Sequence, residues 1–265
     1  MKLYFQKIGN GQKILLAFHG IGQDFLCFQH FAETFGDVYT IYAFDLPFHG
    51  KSIVDNVNQL SQNEVITKSI WKDYLTTFLT ENKIETFSVI GFSMGGRFTL
   101  ATVEAFPKRI ESMTLVSPDG ISEHPIYAFA TRFSLTRKVF KYVIFQEDKL
   151  LSFTKFFAKM RIVPESSIRF AHRMLDTPTK KKQVFQSWTG FRYLKFNLKK
   201  LAEQINNENI KVTIFTGKYD TILPSEKVLP LATKLPNVQL ITLEAGHTKI
   251  LDKVVEYLKK NDKML

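Results

Sequence analysis

A chain of 265 residues, 45% hydrophobic and 23% charged, suits one large globular domain or a domain carrying an insertion, and excludes a low-complexity or disordered polymer. A single cysteine, Cys27, excludes an internal disulfide, and no unbroken apolar run is fit to span a bilayer. The net charge of +11 is concentrated, since residues 121–200 hold 17 Lys and Arg against 5 Asp and Glu, and 15 of the 36 aromatic residues.

Tyr4–Ile8 and Lys13–Phe18 read as strands, and Gly9-Asn10-Gly11 between them predicts a hairpin turn, because Asn-Gly tolerates positive φ. The strand-like start, with no apolar signal segment, predicts a soluble, cytoplasmic protein. A loop with Gly20 and Gly22 leads to a helical stretch from Phe25 to Phe35. Cys27, among Phe25, Leu26 and Phe28, is expected to be a buried packing thiol. Val38–Phe44 is rich in β-branched and aromatic residues, as a strand is. Residues 45–50 form a loop.

Ser61 and Glu64 predict a capping box, followed by a helix with apolar positions at Ile66, Ile70, Tyr74 and Phe78. Thr86–Ile90 reads as a strand, Met94–Phe106 as a helix stopped by Pro107, and Met113–Val116 as a further strand. From 121 to 196 the pattern changes to short amphipathic helices. Alternation resumes with strands at Val212–Thr216 and Val238–Leu243 and a closing helix at Ile250–Lys259. Strands alternating with helices predict an α/β fold: a mostly parallel sheet with helices on both faces. The core is then 1–120 and 197–265, and 121–196 is an inserted helical cap, or lid, over the edge where open α/β sheets bind ligands.

Gly91-Phe92-Ser93-Met94-Gly95-Gly96 sits at the strand-to-helix corner. A serine between two glycines in that setting is a nucleophile elbow, whose tight turn leaves little room for side chains two residues to either side. Serine needs a base and the base an orienting acid. Asp220, just past the 212–216 strand, and His247, in Glu244-Ala245-Gly246-His247 past the last strand, supply both in the chain order Ser, acid, His. Gly246 is expected to turn the chain sharply before His247. Asp119, in the Ser117-Pro118-Asp119-Gly120 loop, is a rival acid, and Asp220 is favoured because its setting fits the motif order. Backbone N–H groups are expected to stabilise an oxyanion: Met94, after the nucleophile, and Ile21, in His19-Gly20-Ile21-Gly22. His30, His124 and His172 have no such placement, and His49 is expected to brace a turn.

Together these residues resemble the α/β-hydrolase family, in its serine-nucleophile branch with a helical cap. The resemblance covers essentially the whole chain. His19–Gly22 is similar to the oxyanion loop, residues 91–96 to the elbow, and Asp45-Leu46-Pro47-Phe48-His49-Gly50-Lys51-Ser52 to the family's Asp-Leu-Pro-Gly-His-Gly-x-Ser stretch, with Phe48 where the family has glycine. Gly246-His247-Thr248-Lys249 lacks the family's usual acidic and proline pattern further on. Ser93 at the nucleophile position disfavours the members that use an aspartate. The resemblance implies a hydrolase with Ser93, Asp220 and His247 as its catalytic residues and no metal or organic cofactor.

The expected activity is hydrolysis of an ester-like acyl bond through an acyl-enzyme, on a small-molecule ester or thioester. The alternative is a thioesterase, acyl-carrier esterase or C–C hydrolase or lyase acting on an acidic metabolite or carrier-bound substrate. The basic, aromatic 121–196 segment motivates it, with Arg132, Arg137, Arg161, Arg169 and Arg173 as candidates to meet an anionic substrate. A third reading is a binding protein on an inactive fold, or a membrane-surface binder. Neither nucleic-acid binding nor stable membrane insertion is expected.

Overall fold

The computed structural model describes residues 1–54, 65–123, 125–146, 165–263 and 265. The expected cap at Ser61 and Glu64, and His124 and Arg161, lie outside them. Seven strands, β1 (Phe5–Ile8), β2 (Lys13–Phe18), β3 (Tyr39–Phe44), β4 (Phe87–Phe92), β5 (Ile110–Val116), β6 (Lys211–Gly217) and β7 (Gln239–Leu243), form one sheet in the order β1-β3-β2-β4-β5-β6-β7. All pairings are parallel except β1 with β3. The described helices are α1 (Gln29–Phe35), α2 (Lys68–Glu81), α3 (Gly95–Ala105), α4 (Pro125–Arg132), α5 (Ser134–Phe145), α6 (Glu165–Met174), α7 (Pro178–Gly190), α8 (Leu198–Asn207), α9 (Leu229–Ala232) and α10 (Ile250–Lys260).

The expected N-terminal hairpin is absent. Both edges of β2 are taken by parallel partners, β3 and β4, so β1 pairs instead with the outer edge of β3, from Phe5 opposite Phe44 to Ile8 opposite Ile41. Asn10 and Gly11 donate their N–H groups to the Gly36 carbonyl at 2.8 and 3.2 Å. The connection is thus tied to the end of α1 rather than to a β1–β2 ladder. β5 also begins three residues earlier than the sequence suggests, at Ile110.

The chain forms two compact units, one of residues 1–54, 67–122 and 194–265 and one of residues 55–66 and 123–193. In the first, helices cover the middle of the sheet on both faces, and every residue of β3 and β4 is buried. Phe28, Phe31 and Phe35 pack with Val254, Val255 and Leu258 of α10 over one face. On the other, Trp71 of α2 lies 5.4 Å from the Phe18 ring and 4.8 Å from Phe98 of α3, and its Nε1–H reaches Thr102 Oγ1 at 2.9 Å. Thr67 caps α2, its Oγ1 accepting from Ile70 N–H. The buried stripe of α2 is Trp71, Leu75, Phe78 and Leu79, whereas Ile70, expected inside, is 41% exposed. Consecutive helical residues stand about 100° apart, so the stripe through Trp71, Leu75 and Phe78 turns Ile70 outward. Cys27 is half-buried against the α1 side of this core, and burial pushes its thiol pKa up.

The second unit is helical in its described part and has an aromatic core of its own. Trp188 of α7 lies 5.3 Å from Tyr127 of α4 and 5.1 Å from Phe140 of α5, with Phe185 5.8 Å from Phe140. Among the described residues no helix is long and apolar enough to cross a membrane.

Candidate active site

Because β4, β5, β6 and β7 run parallel, the loops after them all emerge at one edge. Ser93 follows β4, Asp220 follows β6 and His247 follows β7. His247 Nε2 lies 3.0 Å from Ser93 Oγ, and His247 Nδ1 lies 2.7 Å from Asp220 Oδ2. All three residues are buried, at 6%, 7% and 4% exposure for Ser93, His247 and Asp220.

The elbow holds Ser93 in a conformation that L-residues seldom adopt, with φ +51°. Its N–H donates to Val116 O at 3.0 Å, and its carbonyl accepts from Gly96 N–H at 2.9 Å and Asp119 N–H at 2.8 Å. The turn leaves no room for side chains beside it. A Cβ on Gly95 would stand 1.9 Å from the Phe18 carbonyl oxygen, and one on Gly91 2.1 Å from Thr99 Oγ1. Gly246 has no comparable duty: at φ −93° and ψ 172° it is ordinary extended backbone, and a Cβ there would meet nothing nearer than 3.7 Å. The sharp turn expected there is therefore not what presents His247.

Asp220 Oδ1 accepts from the N–H groups of Ile222 and Leu223, both at 2.9 Å. Burial alone would raise its pKa, but the hydrogen bond and charge of His247 and the Leu223 N–H outweigh burial and hold it below the usual carboxylate value. An ionised carboxylate only accepts, so His247 Nδ1 carries the proton toward it, and the Nε2 lone pair faces the Ser93 hydroxyl. The Phe92 ring packs 5.2 Å from the imidazole.

Asp119, the rival acid, turns its carboxylate away from this chain of contacts. Its Oδ2 meets Arg97 Nε at 2.6 Å and its Oδ1 meets Arg97 Nη2 at 3.2 Å and Gly120 N–H at 2.8 Å. Arg97, 3% exposed, also donates to Leu194 O at 3.3 Å. Sequence reading passed over Arg97, although an arginine four residues after the elbow serine, in a helix otherwise buried through Val103, is a signal for a paired internal charge. It also passed over Glu244, whose Oε1 accepts from Lys218 Nζ at 2.6 Å and whose Oε2 accepts from the Tyr219 hydroxyl. These exposed contacts join the loop of Asp220 to the loop of His247.

The N–H groups of Ile21 and Met94 have no acceptor among the described residues. Their neighbours do: Gly20 N–H reaches Gln23 Oε1 at 3.1 Å, and Gly22 N–H reaches His49 Nε2 at 3.1 Å. His19 joins the same network, accepting Leu46 N–H at Nε2 (2.9 Å), with Nδ1 2.7 Å from Gly20 O. The loop of residues 45–52 holds its shape through Asp45, which accepts from Phe25 N–H and Lys51 N–H at 2.8 and 2.7 Å. Phe48, where the resemblance leads one to expect glycine, sits at φ +69°, so the loop keeps the left-handed turn that glycine would adopt without strain. His30, by contrast, is exposed and pairs with Asp252 at 3.5 Å, and His172 is exposed.

His19 and His49 are fully buried, which lowers their pKa values from 6.5 to about 4 and about 3. Below pH 6.5 the unfolded chain therefore binds protons that the folded chain refuses, so stability is lost as pH falls toward 4. Shifts of this size correspond to roughly 3–5 kcal/mol per histidine, against a total of about 5–15 kcal/mol for a domain. We expect Tm to fall steeply between pH 6 and pH 4, read by Trp71 fluorescence. A flat Tm over that range would contradict the buried neutral pair.

A family model described as alpha/beta hydrolase fold matches residues 13–254, and the chain belongs to that family. Over 98% of its length it is 26% identical to the dihydrolipoyllysine-residue acetyltransferase component of the acetoin cleaving system of Cupriavidus necator. The chain spans 66% of that protein's length. It is 24% identical to an uncharacterized hydrolase, YugF, of Bacillus subtilis, over 93% of this chain and 88% of the relative. Among solved structures it is similar to a thermophilic esterase from Thermogutta terrifontis, with TM-score 0.68, 19% identity, and coverage of 97% of this chain and 92% of the other. At that identity the likeness speaks to the fold alone.

Proposed function

We propose that this member of the α/β-hydrolase family is a serine hydrolase that cleaves ester-like acyl bonds. The observation that carries the reading is the unbroken chain of contacts from Ser93 Oγ through His247 to Asp220, at 3.0 and 2.7 Å. Ser93 Oγ attacks the acyl carbonyl carbon as His247 Nε2 takes its proton, and Asp220 stabilises the resulting imidazolium. The carbonyl oxygen becomes an oxyanion held by the Ile21 and Met94 N–H groups, which no acceptor among the described residues competes for. When the tetrahedral intermediate collapses, the bond to the leaving group breaks and His247 protonates it. Water, deprotonated by His247, then attacks the acyl-enzyme and regenerates Ser93. The reading is tested by screening short p-nitrophenyl esters, acyl thioesters and carboxylated esters against the protein and its Ser93→Ala variant.

The second unit, residues 55–66 and 123–193, is in this reading the substrate-selecting cap. The excess of basic residues in 121–200 favours an acidic substrate or carrier among acyl compounds. If charge steers that substrate, kcat/KM for a carboxylated ester is expected to fall about three- to ten-fold between 20 and 300 mM salt, with a neutral ester unaffected. Parallel profiles for the two esters would remove the preference for an anion and leave the esterase reading intact.

A further inference from the structure

His19 and His49 take no part in the proton transfers proposed above, yet both are completely enclosed and both spend their ring nitrogens on backbone groups. Their rings lie 5.0 Å apart, between the loop of residues 19–23 and the loop of residues 45–52. Burial chiefly lowers the His49 pKa, His19 lowers it further, and the Pro47 carbonyl and the Asp24 carboxylate oppose them.

The two nitrogens of His49 have separate duties. Nδ1 lies 3.0 Å from Pro47 O, which can only accept, so Nδ1 carries the hydrogen. Nε2 is then a bare lone pair, and it accepts the Gly22 N–H at 3.1 Å. Gly22 itself stands at φ +72°, a conformation open to glycine at no steric cost. On the other side of Ile21, the Gly20 N–H is fixed by Gln23 Oε1 and the Gly20 carbonyl by His19 Nδ1. The N–H groups on both sides of Ile21 are thus engaged, and the Ile21 N–H has no acceptor among the described residues.

We propose that His49 is the positioning residue of the oxyanion loop: as a neutral imidazole accepting Gly22 N–H at Nε2, it holds the Ile21–Gly22 peptide, and with it the turn that leaves the Ile21 N–H available to a developing negative charge. The proposal rests on the serine-hydrolase reading and adds to it a requirement on one atom. A protonated ring would present N–H against N–H at Gly22 and release the loop. Burial, which brings its pKa down to about 3, keeps the ring neutral wherever His247 can act as a base. The role is exerted through Gly22 and Ile21, so it governs stabilisation of the transition state more than binding of the ground state.

Two replacements separate the nitrogens. His49→Gln carries a side-chain oxygen where Nε2 lies and can accept from Gly22. His49→Asn reaches only as far as Nδ1, can donate to Pro47 O, and leaves Gly22 without its acceptor. On a short p-nitrophenyl ester, His49→Asn is expected to lose about 100-fold in kcat, the scale of losing one oxyanion donor, with KM within about two-fold of wild type. Its affinity for a trifluoromethyl ketone, which forms the tetrahedral adduct, is expected to fall in parallel. His49→Gln is expected to stay within about ten-fold of wild type. A folded His49→Asn enzyme with wild-type kcat, a loss confined to KM, or a folded His49→Gln enzyme as slow as the asparagine variant would overturn the proposal. Should the asparagine variant not fold, a folded His49→Gln enzyme within about ten-fold of wild-type kcat supports the proposal, and one slowed about 100-fold overturns it. Full activity in Ser93→Ala would instead sink the hydrolase reading, so the two failures are distinguishable.

Discussion

Replacing Ser93 by alanine is expected to reduce kcat for ester hydrolysis by roughly 10⁴- to 10⁶-fold, the range seen when the nucleophile of such a unit is removed. The elbow backbone should survive the change. Ser93 is held by its N–H to Val116 O and by its carbonyl to Gly96 and Asp119, none of which needs the side chain. Alanine tolerates φ near +51° no worse than serine does, so Tm should move little. The loss would then be a loss of chemistry. Burst-phase release of p-nitrophenol, and labelling by a fluorophosphonate, should vanish together. A folded variant retaining either would mean that another atom is the nucleophile.

The second large effect separates the two carboxylates. Asp220→Asn is expected to cut kcat by about 10⁴-fold, because an amide can hold His247 in the wrong tautomer and cannot compensate its positive charge. Asp119→Asn is expected to keep kcat within about ten-fold of wild type while costing stability, on the order of 2–3 kcal/mol, since it removes the charge partner of the buried Arg97. Urea denaturation and steady-state kinetics on both variants should therefore give opposite pairs of results. The reverse assignment, with the larger kinetic loss at Asp119, would hand the acid role to that residue.

Much of this arrangement is legible in the chain because it depends on local rules. The elbow announces itself through Gly91 and Gly95, whose missing side chains are demanded by Thr99 and Phe18. Asp220 and His247 announce themselves by position, since residues that follow parallel strands must emerge at one edge. Pairing across the sheet is less legible. The turn chemistry of Gly9-Asn10-Gly11 is compatible with a hairpin, and only the occupation of both edges of β2 by β3 and β4 forbids it. The buried stripe of α2 runs through Trp71 and Leu75 rather than Ile70 and Tyr74, a choice between apolar faces that packing on the sheet makes and helical spacing alone does not. The partners of Arg97 and of the His19–His49 pair were illegible for another reason. Asp119, Leu46 and Gly22 are tens of residues away or unremarkable backbone groups, so the local pattern that marks Arg97 as an internal charge does not say which group pairs with it.

The displacement of β1 to the outside of β3 has a consequence for how the polypeptide reaches this state. β1 has no mate until Phe44 has emerged to meet Phe5, and every later neighbour in the sheet is likewise separated from its partner by an intervening crossover. Assembly must therefore close long loops before any ladder rewards it, which puts renaturation in the slow, millisecond-to-second class typical of about this degree of non-local pairing. Until then Phe5–Ile8 is an unpaired strand, and Gln6 and Lys7 within it blunt its tendency to pair with another chain.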